Sequence, residues 1–237
     1  MLNLLIIMKM NETIKILTKR DLYGMTIEER KRIVESLIMP IDRVGVESVL
    51  RILSNETDYY TAPSSTKYHS NFDGGLVVHS LLVLKSAYSM IEMLRSTVDA
   101  QSDDGINLIT DDSIILTSLL HDVCKCGFYQ KMPKRRQNLT TGLWETYNGY
   151  EVNDRFPIGH GEKSAIMLLK WGLDLTPEEM LAIRWHMGGY DSSVIGNGDG
   201  KIAYNKAINS CRLTGILQCA DNLTTICMED IIVPPAI

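Results

Sequence analysis

The stretch DDSIILTSLLHDVCKCG, residues 111–127, decides the fold because its apolar residues recur at the spacing of a helix face. Gly127 is typical of the residue that follows the last turn of a helix. The same apolar run carries His121 and Asp122. Imidazole nitrogen and carboxylate oxygen commonly bind transition metals, and a buried carboxylate needs a cation or strong donors. The stretch therefore predicts a core helix that carries two metal ligands.

Further residues that commonly bind metals lie on both sides of this pair: His79, His160, His186 and Asp221. The chain has only five histidines, and four of them belong to this set. A single histidine on an apolar helix is more often a hydrogen-bonded core residue than a ligand. Asp221 on an otherwise apolar helix face is harder to explain without a cation. Taken together, the six positions predict a metal centre.

The adjacency of His121 and Asp122 indicates how the centre is arranged. Neighbouring helical residues diverge by about 100°, so the two cannot act as an i, i+4 chelating pair. We expect Asp122 to bridge two divalent ions, Fe, Mn, Ni or Zn rather than Mg. The other ligands then divide into His79, His121 and Asp221 for the first ion and His160 and His186 for the second. Two ions about 4 Å apart would hold a phosphoryl group and activate a bridging water as hydroxide.

Length and composition predict one globular domain with a substantial core, since 45% of the 237 residues are hydrophobic and 22% are charged. Within it we expect an N-terminal helical segment (1–60) packed on a catalytic domain (61–230), followed by a flexible tail (231–237). The net charge of −5 argues against an extended nucleic-acid surface. The odd number of cysteines, five, suits reduced thiols and a cytoplasmic location.

The N-terminal segment from Leu2 to Ile7 is apolar but is too short to span a bilayer and follows no basic residue. We therefore expect neither an export signal nor a membrane association, and no later run approaches transmembrane length. Met8 or Met10, as well as Met1, could be the true start.

The remaining pattern predicts an all-α helical bundle. Thr26 and Glu29 form a capping-box pattern, and Thr176-Pro177-Glu178-Glu179 predicts the start of the helix that carries His186. A helix from about Asp42 to Leu53 and a long one from about Asn205 to Met228, which carries Asp221, are also expected. The stretch from Tyr129 to Asp154 predicts a loop with a small β-hairpin insertion around 139–152.

At these residues the chain resembles the HD superfamily of metal-dependent phosphohydrolases. The superfamily pattern runs His, His-Asp, Asp and is matched by His79, His121-Asp122 and Asp221. The stretches 68–79, 121–125 and 159–164 resemble the subset that has two extra histidines and a dinuclear centre. The resemblance covers about residues 68–225 and implies an HD-domain helical bundle that acts on nucleotides, cyclic nucleotides or nucleic-acid phosphodiesters. No Gly-Tyr-Pro follows the ligands, so the chain departs from the cyclic-dinucleotide branch.

Asp122 and Lys125 are the expected catalytic residues. Lys125 follows His121 by one helical turn, so its ammonium could meet a phosphate oxygen or could instead complement the helix dipole. His69 is either a substrate contact or general acid, or a surface histidine. The other candidate substrate contacts are basic: Arg184, and Lys134, Arg135 and Arg136, which with Lys131 form either a lid or a solvated charge run.

Three functions fit these residues. The first is a phosphohydrolase in which a metal-bridging hydroxide cleaves a small phosphorylated substrate, either a nucleotide or a small phosphodiester. The second is a mixed-valence di-iron oxygenase, which uses the same ligands in some HD-type proteins. The third is a non-catalytic domain that senses nucleotides or uses the metal for stability. The oligomeric state stays open.

Overall fold

Helices form most of the structure, a computed structural model that describes residues 14, 17–97, 105–195 and 198–237. The helices before the sheet are α1 (Lys19–Gly24), α2 (Ile27–Ile38), α3 (Val46–Asn55), α4 (Gly75–Thr97) and α5 (Asp111–Leu120). Those after it are α6 (His160–Lys170), α7 (Pro177–Trp185), α8 (Asp199–Ser210) and α9 (Arg212–Leu223). Short 3₁₀ turns cover Val123–Lys125 and Gly188–Tyr190, and a π-helical turn covers Thr224–Met228.

One antiparallel hairpin interrupts the helices. Its strands are β1 (Tyr129–Gln137) and β2 (Trp144–Val152), with Tyr129 opposite Val152. The hairpin predicted around 139–152 exists, but its first strand begins ten residues earlier. In the sequence, Pro133 and the basic residues of β1 are typical of a loop. A two-stranded sheet tolerates proline because both of its strands are edge strands.

Two helix starts follow the sequence closely. Thr26 Oγ1 accepts a hydrogen bond from the Glu29 backbone N–H at 3.2 Å, and the Glu29 carboxylate accepts one from the Thr26 N–H at 2.7 Å. Thr176 and Glu179 repeat the arrangement at 3.2 and 2.9 Å, with Pro177 in the first turn. Both predicted capping boxes are confirmed.

Other helix boundaries differ from the sequence expectations. The helix predicted from Asp42 begins at Val46, after Gly45. The helix predicted to continue to Gly127 ends at Leu120, and Asp122 leaves the helical conformation (φ −109°, ψ 18°). The long helix predicted from Asn205 to Met228 is broken at Cys211. The backbone of Cys211 is extended, so α8 ends before it and α9 begins after it.

The central helix α4 corrects a further expectation. Its 23 residues include an 18-residue window of mean hydropathy 1.3, long and apolar enough to cross a membrane by length and composition. The expectation that no later run approaches transmembrane length is therefore wrong. However, 72% of that window is buried inside the protein, where α4 packs against α5 and α9. Such burial is typical of a core helix.

One hydrophobic cluster contains side chains from both of the predicted segments, 1–60 and 61–230. Val34 and Leu53 belong to the first segment, and Leu81 and Leu217 belong to the second. A close backbone approach joins the N-terminal helices to the end of α6. Gly45 has a φ of +90°, and a Cβ atom there would lie 2.0 Å from the Gly172 carbonyl oxygen, so the contact requires glycine.

The C-terminal residues, for which the sequence predicted a flexible tail, form hydrogen bonds to the loop before α4 and to the hairpin. Asn71 donates to the Ile232 carbonyl at 2.8 Å and accepts from its N–H at 2.7 Å. Arg136 donates to the Pro234 carbonyl, and the Ile237 N–H donates to the Thr146 carbonyl on β2. The expectations for Met1, Met8, Met10 and 2–7 lie outside the described residues.

Candidate metal centre

The buried carboxylate of Asp122 lies between two pairs of imidazoles. Its Oδ2 atom is 3.4 Å from His79 Nε2 and 3.5 Å from His121 Nε2. Its Oδ1 atom is 3.1 Å from His160 Nε2 and 3.5 Å from His186 Nε2. Each oxygen therefore faces a different pair of nitrogen atoms, which is the arrangement that a bridging carboxylate requires.

The backbone explains how adjacent residues reach one site. His121 occupies the C-cap position of α5 and is still helical, whereas Asp122 has left the helix. His186 has the same place at the C-cap of α7, and His160 is the first residue of α6. Three helix ends thus converge on the buried face of α4, which carries His79.

Asp221 on α9 completes the set and lies 3.3 Å from His79 Nε2. The described residues contain four overlapping groups whose potential ligand atoms lie within 4.8 Å of one another: His69, His79 and Glu229; His79, His121 and Asp122; His121, His186 and Asp221; and Asp122, His160 and His186. Asp221 therefore faces both halves of the cluster. These buried residues could hold metal ions.

Backbone carbonyls fix the orientation of two imidazoles. His121 Nδ1 lies 2.8 Å from the Ser118 carbonyl, and His186 Nδ1 lies 2.7 Å from the Ile183 carbonyl. Because a carbonyl only accepts, each Nδ1 carries the proton and donates it. The Nε2 lone pairs then face Asp122, as in histidines that bind a metal.

The third orienting contact comes from Glu229, which the sequence interpretation missed. Its fully buried carboxylate lies 3.0 Å from His79 Nδ1 and also accepts a hydrogen bond from Ser70. No local pattern could have revealed it, because Glu229 follows His79 by 150 residues and adjoins the apolar tail.

The cluster fits a cation. Among the described residues, His186 Nε2 is a buried atom without a hydrogen-bond partner, and His79 and His121 bring their Nε2 atoms within 3.3 Å of each other. Lone pairs and carboxylate oxygens that face one another in a buried site are unfavourable without a positive charge between them. Four imidazoles and two carboxylates are a donor set that suits Fe, Mn, Ni or Zn.

The electrostatic potential at the cluster also favours a bound cation. Burial lowers the pKa of His160, but the neighbouring Cys124 and Asp122 outweigh it and raise that pKa to about 10. Burial likewise opposes protonation of His79, yet Glu229 and the aspartates raise its pKa well above the usual value. A negative field that stabilises protonated imidazole also attracts a metal cation.

Lys125 contacts the centre directly. Its buried Nζ atom lies 2.6 Å from Asp122 Oδ2 and donates to Ser64 Oγ at 3.2 Å. The backbone carbonyl of Ser64 also accepts a hydrogen bond from the Tyr129 hydroxyl. Burial lowers the pKa of Lys125, but Asp122 outweighs it, so the ammonium is retained beside the ligands.

A cavity of about 710 Å³ opens onto the cluster. Its lining includes Asp122, Lys125, His160 and Asp221, together with His69. Burial and the charges of His79 and Lys125 lower the pKa of His69 to about 4, which makes its imidazole neutral at pH 7. A neutral His69 can contact substrate but is a poor general acid.

The other basic candidates do not line this cavity. Arg184 forms ion pairs with Glu162 and Asp191, so its charge is already compensated. Arg136 pairs with Glu145, and the Arg135 guanidinium lies 5.7 Å from the centre of the Trp144 ring. Lys134 lies on the same strand, opposite Tyr147, and is not among the described residues that line the cavity.

Comparisons with protein-family models, with curated proteins and with solved structures find no match.

Proposed function

We propose that this protein is a metal-dependent phosphohydrolase of HD type that cleaves the phosphate ester of a small phosphorylated substrate. The observation that carries the proposal is the Asp122 carboxylate, whose two oxygens face separate histidine pairs beside a buried lysine at the base of a cavity.

The ligands would hold two divalent ions in this arrangement. Asp122 would contribute one oxygen to each ion, His79 and His121 would bind on one side, and His160 and His186 on the other. Two such ions supply charge neutralisation at phosphate and an activated water near neutral pH.

The protein's own groups would position the substrate. Lys125 retains a positive charge and lies at the cavity surface, where it can bind a phosphoryl oxygen and stabilise the charge that develops there. His69 is neutral at pH 7 and lines the same cavity, so it can form a hydrogen bond with the ester.

The free cysteines support a cytoplasmic location within this proposal. Cys124, Cys126, Cys211, Cys219 and Cys227 are all without a disulfide. Reduced thiols are typical of cytoplasmic proteins.

The test combines metal analysis with hydrolysis assays. The purified protein should contain about two transition-metal ions per chain and should cleave generic phosphate mono- or diester reporters under Mn, Fe or Ni. Asp122→Asn keeps the side-chain size but removes the charge, and we expect loss of at least one ion. Mutation of a residue that only supports a metal ligand typically lowers activity by roughly 10–100-fold, so loss of the ligand itself should lower hydrolysis at least as much.

Asp73→Asn is the matched control, because Asp73 pairs with Lys131 and Tyr150 away from the ligands. It should retain both metal and activity. Oxygen consumption by the iron-loaded protein without ester cleavage would favour the oxygenase instead. Tight metal binding without turnover of any reporter would favour a sensing or structural domain.

A further inference from the structure

The charge of the cavity limits the number of phosphate groups it can hold. Among the described residues that line the cavity, Lys125 is the one lysine or arginine. Lys67 is solvent-exposed and lies over the Tyr68 ring, 5.3 Å from its centre, and an exposed ammonium is screened by salt. A chain of two or three phosphates would find no further buried cation along this wall.

A charge count leads to the same conclusion. Two divalent ions would bring four positive charges, and Lys125 brings a fifth. Asp122, Asp221 and Glu229 bring three negative charges and the activated hydroxide brings a fourth, which leaves an excess of one positive charge. The dianion of one phosphomonoester exceeds that charge by one unit, whereas a triphosphate would leave more uncompensated negative charge in a partly buried site.

The rest of the cavity fits a flat apolar group. Its volume of about 710 Å³ far exceeds what a phosphate occupies, and its wall includes the apolar side chains of Met187 and Ile226. Two tyrosines line the same cavity with large exposed surfaces, Tyr68 at 58% and Tyr190 at 69%. Exposed rings beside an anion site are typical platforms on which planar heteroaromatic groups stack.

Backbone hydrogen bonds position the main chain of both tyrosines beside the cavity. Tyr68 directly precedes His69, and the Tyr68 N–H donates to Ser65 Oγ at 2.9 Å. Tyr190 ends the 3₁₀ turn that follows His186, and its N–H donates to the Met187 carbonyl. Tyr68 lies in the connection between α3 and α4 and Tyr190 in a 3₁₀ turn, so a group stacked on either ring would lie in the same cavity as Asp122, His160 and Asp221.

We infer that the substrate is a phosphomonoester that carries a single phosphate and a planar ring system, as in a nucleoside monophosphate, with the ring against Tyr68 or Tyr190. The inference rests on the proposed hydrolysis for the reaction, but it makes a separate statement about which ligand binds. Phosphate would lie at Lys125 and the ions, and the ring would lie at the mouth of the cavity.

The experiment uses the full chain loaded with Mn and compares AMP, ADP, ATP and ribose 5-phosphate, with GMP, CMP and UMP added to vary the base. The best monophosphate should exceed the di- and triphosphate of the same base, and ribose 5-phosphate, by about 10-fold or more in kcat/KM. Calorimetry with the corresponding nucleoside measures the ring contact alone, without turnover.

Tyr68→Ala and Tyr190→Ala test the stacking surface. At least one should weaken nucleoside binding by about 10-fold, the loss expected when a stacking partner is removed. Trp144→Ala is the matched control, because Trp144 is an exposed aromatic residue that does not line the cavity. It should leave the nucleoside affinity unchanged.

The outcomes separate the two proposals. Hydrolysis of ATP or ribose 5-phosphate as efficiently as of any monophosphate would overturn the substrate inference and leave the hydrolase intact. If no ester is cleaved, calorimetry with the intact nucleotides decides. Tighter binding of a monophosphate than of ATP and ribose 5-phosphate, lost in a tyrosine variant, would support the inference, and equal binding would overturn it.

Discussion

Asp122 shows how one residue can serve two halves of a site. Within a continuous helix its side chain would diverge from that of His121 by about 100°. The helix ends at Leu120 and Asp122 turns out of it, which places one carboxylate oxygen near His121 and the other near His160. A buried carboxylate in this position needs positive charge around it, which Lys125 supplies in part and bound metal ions could supply further.

Glu229→Gln should weaken metal binding by about 10–100-fold, because the carboxylate opposite His79 Nδ1 orients the imidazole and makes Nε2 a stronger donor. Competition with a chelator of known affinity measures the change. Glu145→Gln is the control, since Glu145 pairs with Arg136 on the hairpin. Equal affinities in the two variants would show that Glu229 does not position His79.

Metal affinity should rise with pH. The pKa of His160, raised to about 10 by Cys124 and Asp122 against the effect of burial, keeps this imidazole protonated at neutral pH in the metal-free protein. An incoming ion must displace that proton, so the logarithm of the association constant should increase by about one per pH unit for each proton released. Titrations from about pH 6 to pH 9 test this, and a flat profile would contradict it.

At the scale of elements, the sequence predicted those helix boundaries that depend on contacts between residues close together in the chain. The capping boxes at Thr26 and Thr176 were readable because both partners lie within four residues. The early start of β1 was not readable, because Pro133 and the basic residues of that strand are typical of a loop. The break at Cys211 was not readable either, because the apolar helical pattern continues across it. The same holds for Glu229, which meets His79 only after α4 and the C-terminal turn come together.

Glu179 joins three elements and provides a stability test. Its side chain is fully buried and accepts hydrogen bonds from Arg43, Ser113 and the Thr176 N–H. Glu179→Ala leaves the largely buried Arg43 charge without this partner, so we expect the free energy of unfolding to fall by about 3–5 kcal/mol. Urea unfolding of the metal-free protein measures it.

The neighbouring residue supplies the control for that measurement. Glu178 lies in the same first turn of α7 but is exposed, so Glu178→Ala should change the free energy of unfolding by about 0.5 kcal/mol or less. Similar losses in both variants would mean that the buried ion pair contributes little and that the effect comes from the helix start.

At the scale of the whole molecule, the C-terminal residues connect the candidate metal ligands to the hairpin. Glu229 contacts His79, Ile232 pairs with Asn71, and Ile237 bonds to β2. The last nine residues therefore differ in whether they contact the cluster. Only the first of them reaches a ligand, whereas the later ones contact the surface of the fold.

Two truncations separate these parts. A chain that ends at Ile232 keeps Glu229 and the Asn71 contact, and we expect its metal affinity to match that of the full chain. A chain that ends at Met228 loses Glu229, so its affinity should fall by about 10–100-fold, as in Glu229→Gln. Circular dichroism verifies that both chains keep their helices. Equal loss in the two truncations would mean that the tail acts through the overall fold, because only the shorter chain lacks the carboxylate that orients His79.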